Sequence, residues 1–238
     1  MTTARNALLL LALTVFAFTA QPMTPGPTII RACPGCTKPL RQFTLASANM
    51  RHAKWWTDGK VDAPMFPLML SLGKCPHCQK LFWISDAKEL ATLSGGGSKS
   101  KWDKAQSVAE PVVEDYLRAA NTPGVSRERE LKARKQAWWL TNDSIRGREG
   151  RSIIWQGARQ ENLERLSALL DVKEDENVIL KAEIARELGQ FEACLKLIDR
   201  PFKVGECGDR VWAALVRKLA QAKNSKVELL CFPDNPRP

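Results

Sequence analysis

Two short stretches of the chain carry residues able to do chemistry together: Cys33-Pro34-Gly35-Cys36 and Cys75-Pro76-His77-Cys78. A two-residue spacer lets both sulfurs of a tight turn face one ion, and two such turns supply the four ligands of a tetrahedral site. Four thiolates fill the coordination shell of one divalent cation. The pattern therefore predicts a single structural Zn2+ with no open position for catalysis. Proline after the first cysteine and a lysine two places after the second (Lys38, Lys80) recur in both copies. A lone C-x-x-C is a weak signal, and the near-duplicate pair is a strong one.

Strand-like runs follow each pair, 40–45 after the first and 81–84 (LFWI) after the second. Between them Asp58-Gly59 predicts a two-residue hairpin turn flanked by Trp55, Trp56 and Val61. On these cysteines and strands, residues 31–86 resemble the zinc ribbons, in which two knuckles cap two β-hairpins. The resemblance carries over only the four cysteines, as ligands. Two features depart from it. The pairs are separated by 38 residues, against about 15–20 in the usual spacing, which an inserted hairpin carrying WWTDGK accounts for. Thr37 and Gln79 also stand where a glycine commonly follows the knuckle. The rival chemistry is redox: C-P-H-C resembles the active site of thiol-disulfide oxidoreductases, with Cys75 and Cys78 as the cycling pair. Those enzymes open a helix with the motif, whereas Cys78 runs into strand material.

The second half reads as helices. After the linker-like run 94–100 (SGGGSKS), Val113, Tyr116, Leu117 and Ala120 fall at helical spacing until Asn121-Thr122-Pro123-Gly124 stops them. A basic helix follows over 127–141, ending in Trp138 and Trp139. Leu163, Leu166 and Leu170 mark a third, and 178–188 a fourth, apolar on more than one face and capped by Gly189. A fifth covers 191–198. Trp212, Leu215, Val216 and Leu219 give the sixth. Short connections imply antiparallel helical hairpins. The run Glu187-Leu188-Gly189-Gln190-Phe191, with Cys194 at a small position, resembles the turn of a tetratricopeptide repeat, and the combination resembles a group of poorly characterised bacterial proteins. Cys194 is expected to be a buried packing residue. Cys207 and Cys231 have the option of pairing after export.

Arg5 followed by the uncharged run 7–20 (ALLLLALTVFAFTA) has the form of a secretory signal or an uncleaved anchor. The chain is thus expected to be exported, periplasmic or extracellular, or held at the membrane, with the cytoplasm as the alternative that seven cysteines favour. The net charge of +10 is concentrated in residues 30–104, with 12 Lys/Arg against 5 Asp/Glu. Arg51, Lys54, Trp55 and Trp56 interleave cations with aromatic rings, as do Lys132, Arg134, Lys135, Trp138 and Trp139. Such runs contact anions or stack nucleic-acid bases, or else anchor a core beside solvated charges. With two histidines, no nucleophile elbow and no dinucleotide fingerprint, the sequence predicts no enzyme.

The expectation is therefore an α+β chain: a signal or anchor with a Pro-rich spacer (1–30), a small β-rich zinc ribbon (31–92), a linker (93–103) and an all-α, tetratricopeptide-like domain (104–238). Its expected work is protein–protein interaction or scaffolding. Nucleic acid, or a membrane bound through the amino-terminal segment, are further candidate partners.

Overall fold

The computed structural model describes residues 23–50, 52–67, 69–93, 101–147, 156–202 and 208–231. The apolar run 7–20, Arg51, the linker 94–100 and Cys207 lie outside them. The chain is α+β, with small sheets first and six helices after them among the described residues. The amino-terminal strands are β1 (Met23–Pro25), β2 (Thr28–Ala32), β3 (Pro39–Gln42) and β4 (Leu45–Ala48), so the expected single strand over 40–45 breaks after Gln42. The inserted hairpin is β5 (Lys54–Trp56) and β6 (Val61–Asp62). Next come β7 (Leu72–Lys74), β8 (Leu81–Trp83), β9 (Glu89–Leu93) and β10 (Gln106–Ser107). The helices are α1 (Val113–Ala120), α2 (Arg127–Asp143), α3 (Gln156–Leu169), α4 (Asp175–Glu187), α5 (Phe191–Leu197) and α6 (Asp209–Gln221), and β11 (Leu229–Cys231) follows them.

Each cysteine pair sits at the tip of an antiparallel hairpin. β2 pairs with β3 across the first and β7 with β8 across the second. β9 lies antiparallel on the other side of β2, and β10 runs parallel to β3. Cys33, Leu40, Cys75, Phe82, Ile84 and Ala87 form a small core beneath the two tips. A small core of this kind needs a cross-link to hold it.

The inserted hairpin leaves that core. β5 is sandwiched between β6 and β11, so the end of the chain returns to pair with it. Trp56 and Lys60 close the ladder through the Trp56 amide. The turn therefore holds three residues, Thr57, Asp58 and Gly59, in place of the expected two. Gly59 takes φ 74°, the left-handed residue of a three-residue hairpin loop. It also packs directly on the helices: a Cβ there would stand 3.1 Å from Leu180 and 3.2 Å from the Trp212 ring.

The helical core gathers Trp138, Leu163, Leu166, Ile179, Ile184, Cys194, Trp212 and Val216, with Trp55 of the inserted hairpin packed against it. α4 is its central helix, buried on several faces. It ends as expected: Gln190 donates to the Ala185 carbonyl and Gly189, at φ 76°, to that of Arg186, the paired bonds of a Schellman motif. α1 and α2 form a second core around Tyr116 and Ala137 that accepts Leu72 and Trp83 from the second cysteine hairpin. The β-rich region is thus tied to the helices twice, once through β7–β8 and once through β5–β6.

Candidate metal centre

The two cysteine turns are built alike. In the first, the Cys33 amide donates to the Lys38 carbonyl (3.0 Å) and the Thr37 amide to that of Cys33 (2.9 Å). In the second, Cys75 and Lys80 repeat the first bond at 3.0 Å and Gln79 and Cys75 the other at 2.9 Å. Both turns need a left-handed residue after the second cysteine, and Thr37 (φ 61°) and Gln79 (φ 59°) supply it without glycine. The turns then face each other closely. A Cβ on Gly35 would lie 2.6 Å from Lys80 Cδ and 3.3 Å from Cys78 Sγ, so glycine is what lets the first turn approach the second.

All four sulfurs, those of Cys33, Cys36, Cys75 and Cys78, lie within 4.8 Å of one another. Cys33 Sγ stands 3.6 Å from Cys78 Sγ, and Cys36 Sγ 3.8 Å from Cys75 Sγ. Sulfurs bound at ~2.3 Å around a tetrahedral ion stand roughly 3.8 Å apart, whereas a disulfide needs ~2.05 Å. The four cysteines are free thiols positioned to hold one metal ion. Cys33 and Cys75 are buried, Cys36 is half-buried and Cys78 is exposed.

The electrostatics fit a cation. Burial raises the Cys33 thiol, but the amides of Cys36 and Gly35 together with its thiol neighbours bring it down to about 7. Burial pushes Cys75 up to about 12 against the opposing amides of Cys78 and His77. At Cys36 the Lys38 amide pulls down, yet desolvation and the thiols of Cys33 and Cys78 leave it raised. Thiols this close cannot all ionise against one another. A multivalent cation is what allows four thiolates to coexist.

A second polar cluster was not anticipated. Thr57 and Asp58, at the tip of the inserted hairpin, are fully buried among the helices. The Asp58 carboxylate accepts bonds from Asn142 (2.9 Å) and Arg146, and its carbonyl accepts the Trp139 indole (2.9 Å). Lys60 reaches Asp143 at 2.5 Å. Glu187 accepts from Trp138 (2.9 Å) and pairs with Arg159, while Arg186 pairs with Glu183. The Thr57 carbonyl accepts the Trp212 indole at 2.8 Å. Burial first, then the charges of Glu183 and Asp58, pushes Glu187 up to about 8, with Arg159 opposing. The only hint of this in the sequence is the row of charges on the last turn of an otherwise buried helix.

The basic–aromatic runs are distributed as follows. Lys54 is exposed on β5, and Trp55 packs against the helical core. Trp56 donates its indole N–H to Asp62 at 2.9 Å, with Arg146 5.0 Å over its ring. Trp138 is buried, and Trp139 carries Lys135 at 5.1 Å. The structure thus places Lys54, Trp55 and Trp56 on the inserted hairpin, apart from the cysteine core, and Arg51 lies outside the described residues. Cys194 is fully buried and its thiol is pushed up to about 12, first by burial. Among the described residues no helix is long and apolar enough to cross a membrane. The chain matches no protein-family model, no curated protein and no solved structure.

Proposed function

We propose that the protein is a non-catalytic interaction or scaffold protein whose β-rich region is a zinc ribbon with one structural Zn2+. The observation that carries the reading is the packing of four thiols within 4.8 Å at the tips of two hairpins, which uses every place in a tetrahedral shell. Cys75 and Cys78 lie between two strands, and Cys75 is buried with a raised thiol. A redox nucleophile needs the opposite, a lowered and accessible thiol at a helix start. The α4–α5 turn supports a tetratricopeptide-like helical hairpin, a form suited to binding another polypeptide. The run 7–20 supports export or anchoring at the membrane.

Native mass measurement of protein purified without oxygen, combined with thiol alkylation in intact cells, tests the reading. One zinc ion per chain is expected, with the four thiols protected together and released together by a chelator. A Cys75–Cys78 disulfide that cycles at mild potentials, with no zinc in the reduced chain, would overturn both the zinc assignment and the non-catalytic role.

A further inference from the structure

The second cysteine hairpin has one closed edge and one open edge. In β7–β8, Leu72 faces Trp83, Gly73 faces Phe82 and Lys74 faces Leu81. The Cys75 amide bonds the Lys80 carbonyl and the Ile84 amide bonds that of Ser71. Antiparallel pairs alternate between bonded and non-bonded, so the amides and carbonyls of Lys74 and Leu72 point away from β8, and those of Leu81 and Trp83 point away from β7. Lys74 bears this out by exchanging both its bonds with Ala109, at 3.1 and 3.0 Å, which closes the β7 edge. On the β8 edge, the amides of Leu81 and Trp83 and the Leu81 carbonyl have no partner among the described residues, while the Trp83 carbonyl opens the short 3-10 turn Ile84–Asp86.

That open edge forms one wall of a groove of about 820 Å³. The loop between α1 and α2, with Pro123 and Val125, forms the other, and the cations Lys80, Arg118 and Arg129 line it without a single carboxylate. Arg118 is held by Asp115 and Arg129 by Asp86, with Arg129 also 5.1 Å over the Trp83 ring. Lys80 has no ion pair among the described residues. Unpaired donors and acceptors on alternate residues fit an extended backbone, which adds as a strand and makes main-chain bonds. A cation at the rim with no ion pair of its own favours acidic side chains on that strand.

We propose that the outer edge of β8 is a strand-addition site that takes an extended, acidic segment of a partner protein between β8 and the α1–α2 loop. This rests on the interaction-protein reading and names its binding site.

The test uses the full, metal-loaded chain and a capped hexapeptide of alternating Glu and Val. Amide hydrogen exchange at Leu81 and Trp83 is expected to slow at least tenfold at saturating peptide, with no change when Lys replaces Glu. Affinity should fall tenfold or more in Leu81→Pro, which removes an outward amide and spares the bonds to β7. If that variant loses its metal, Lys80→Glu provides the same comparison without touching the backbone. Equal protection by the Lys peptide, no protection by either, or mutual protection of two chains at their β8 edges would overturn the proposal. A chain without metal would instead defeat the zinc reading, and the exchange at Leu81 and Trp83 would still report on the edge.

Discussion

The cysteine cluster and the ionic cluster around Asp58 solve the same problem by different means. Both crowd groups that repel one another or lose solvation when charged. The cysteine cluster has four thiols of one kind and no cation of its own among them, and it is positioned to take one metal ion from outside. The cluster around Asp58 carries its counter-charges in the chain: Arg146 for Asp58, Lys60 for Asp143, Arg159 for Glu187 and Arg186 for Glu183. One stretch of backbone joins them, because the hairpin inserted between the two cysteine pairs ends in the ionic cluster. A cross-link closed by metal at the cysteines would therefore be backed by one that needs none. Residues 54–62 are expected to stay seated on the helices when the metal is gone.

Cys75→Ser is the most severe way to break that comparison. Structural zinc contributes on the order of 10–16 kcal/mol to folding in small zinc domains, and no other free thiol among the described residues is near enough to replace Cys75. Loss of stoichiometric metal and fast amide exchange throughout β2, β3, β7 and β8 are expected. The amides of Thr57 and Gly59 should remain protected and the helical circular-dichroism signal should persist. Fast exchange at Thr57 in this variant would show that the ionic cluster depends on the metal.

Asp58→Ala attacks the other side. It takes one of two carboxylate partners from the Arg146 guanidinium, whose side chain is 1% exposed and which keeps Asp143 at 2.9 Å, and an acceptor from Asn142. Removing one partner of a buried pair costs about 3–5 kcal/mol. A lowered urea midpoint with one metal ion still bound at saturating zinc is the expected result. Metal loss in this variant would mean that the hairpin positions the cysteines.

These two clusters were not equally legible. Each C-x-x-C pair declares itself because its two ligands are local, and the second copy confirms the first. Apart from the Lys60 amide, the partners of the turn at Thr57 and Asp58 lie 81 to 171 positions away, in α2 and the turn after it, α4, α6 and the approach to β11, and no local pattern links them. The helices were readable from periodicity and stop signals, and α2 runs two residues past the expected end. The strand over 40–45 divides after Gln42 and the two-residue turn is a three-residue loop, because a bulge-like loop and a strand break leave no mark in composition. For Trp55 and Trp56 the sequence offers both an anion surface and a core anchor. Arg146, 90 residues downstream of Trp56 in the chain, is what covers the Trp56 ring.

Glu187→Gln sharpens the comparison through pH. The carboxyl moves from an ordinary 4.5 to about 8 in the folded chain, chiefly through burial. Between those values the folded state holds more protons than the unfolded one, so stability falls as pH rises through that window, by up to about 1.4 kcal/mol per pH unit. Below it the contribution is constant, and above it no further loss occurs. The Gln variant should flatten this slope in urea titrations at pH 5 and pH 8, leaving the part due to Glu183, which burial also raises. An unchanged slope would place Glu187 among the permanently ionised partners of Arg159.

The smallest effect concerns how well the metal-dependent cluster is built. Thr37 is β-branched and sits at φ 61°, and Gln79 holds the equivalent place at φ 59°. The left-handed region costs a non-glycine residue roughly 1–2 kcal/mol, and a glycine there gives back about 0.5–1 kcal/mol through the greater freedom of its unfolded chain. The Thr37 hydroxyl also donates to the Cys36 carbonyl at 2.7 Å, and the Gln79 amide side chain to that of Pro76 at 3.1 Å. Both bonds are solvent-exposed and contribute little. Thr37→Gly should therefore gain about 0.5 kcal/mol in urea midpoint and hold zinc slightly better against a competing chelator. Gln79→Gly should change less, because an unbranched side chain is less crowded at positive φ. A loss of stability in Thr37→Gly would mean that the hydroxyl bond to Cys36 outweighs the backbone strain, and that the first turn is tuned by its side chain in a way the second is not.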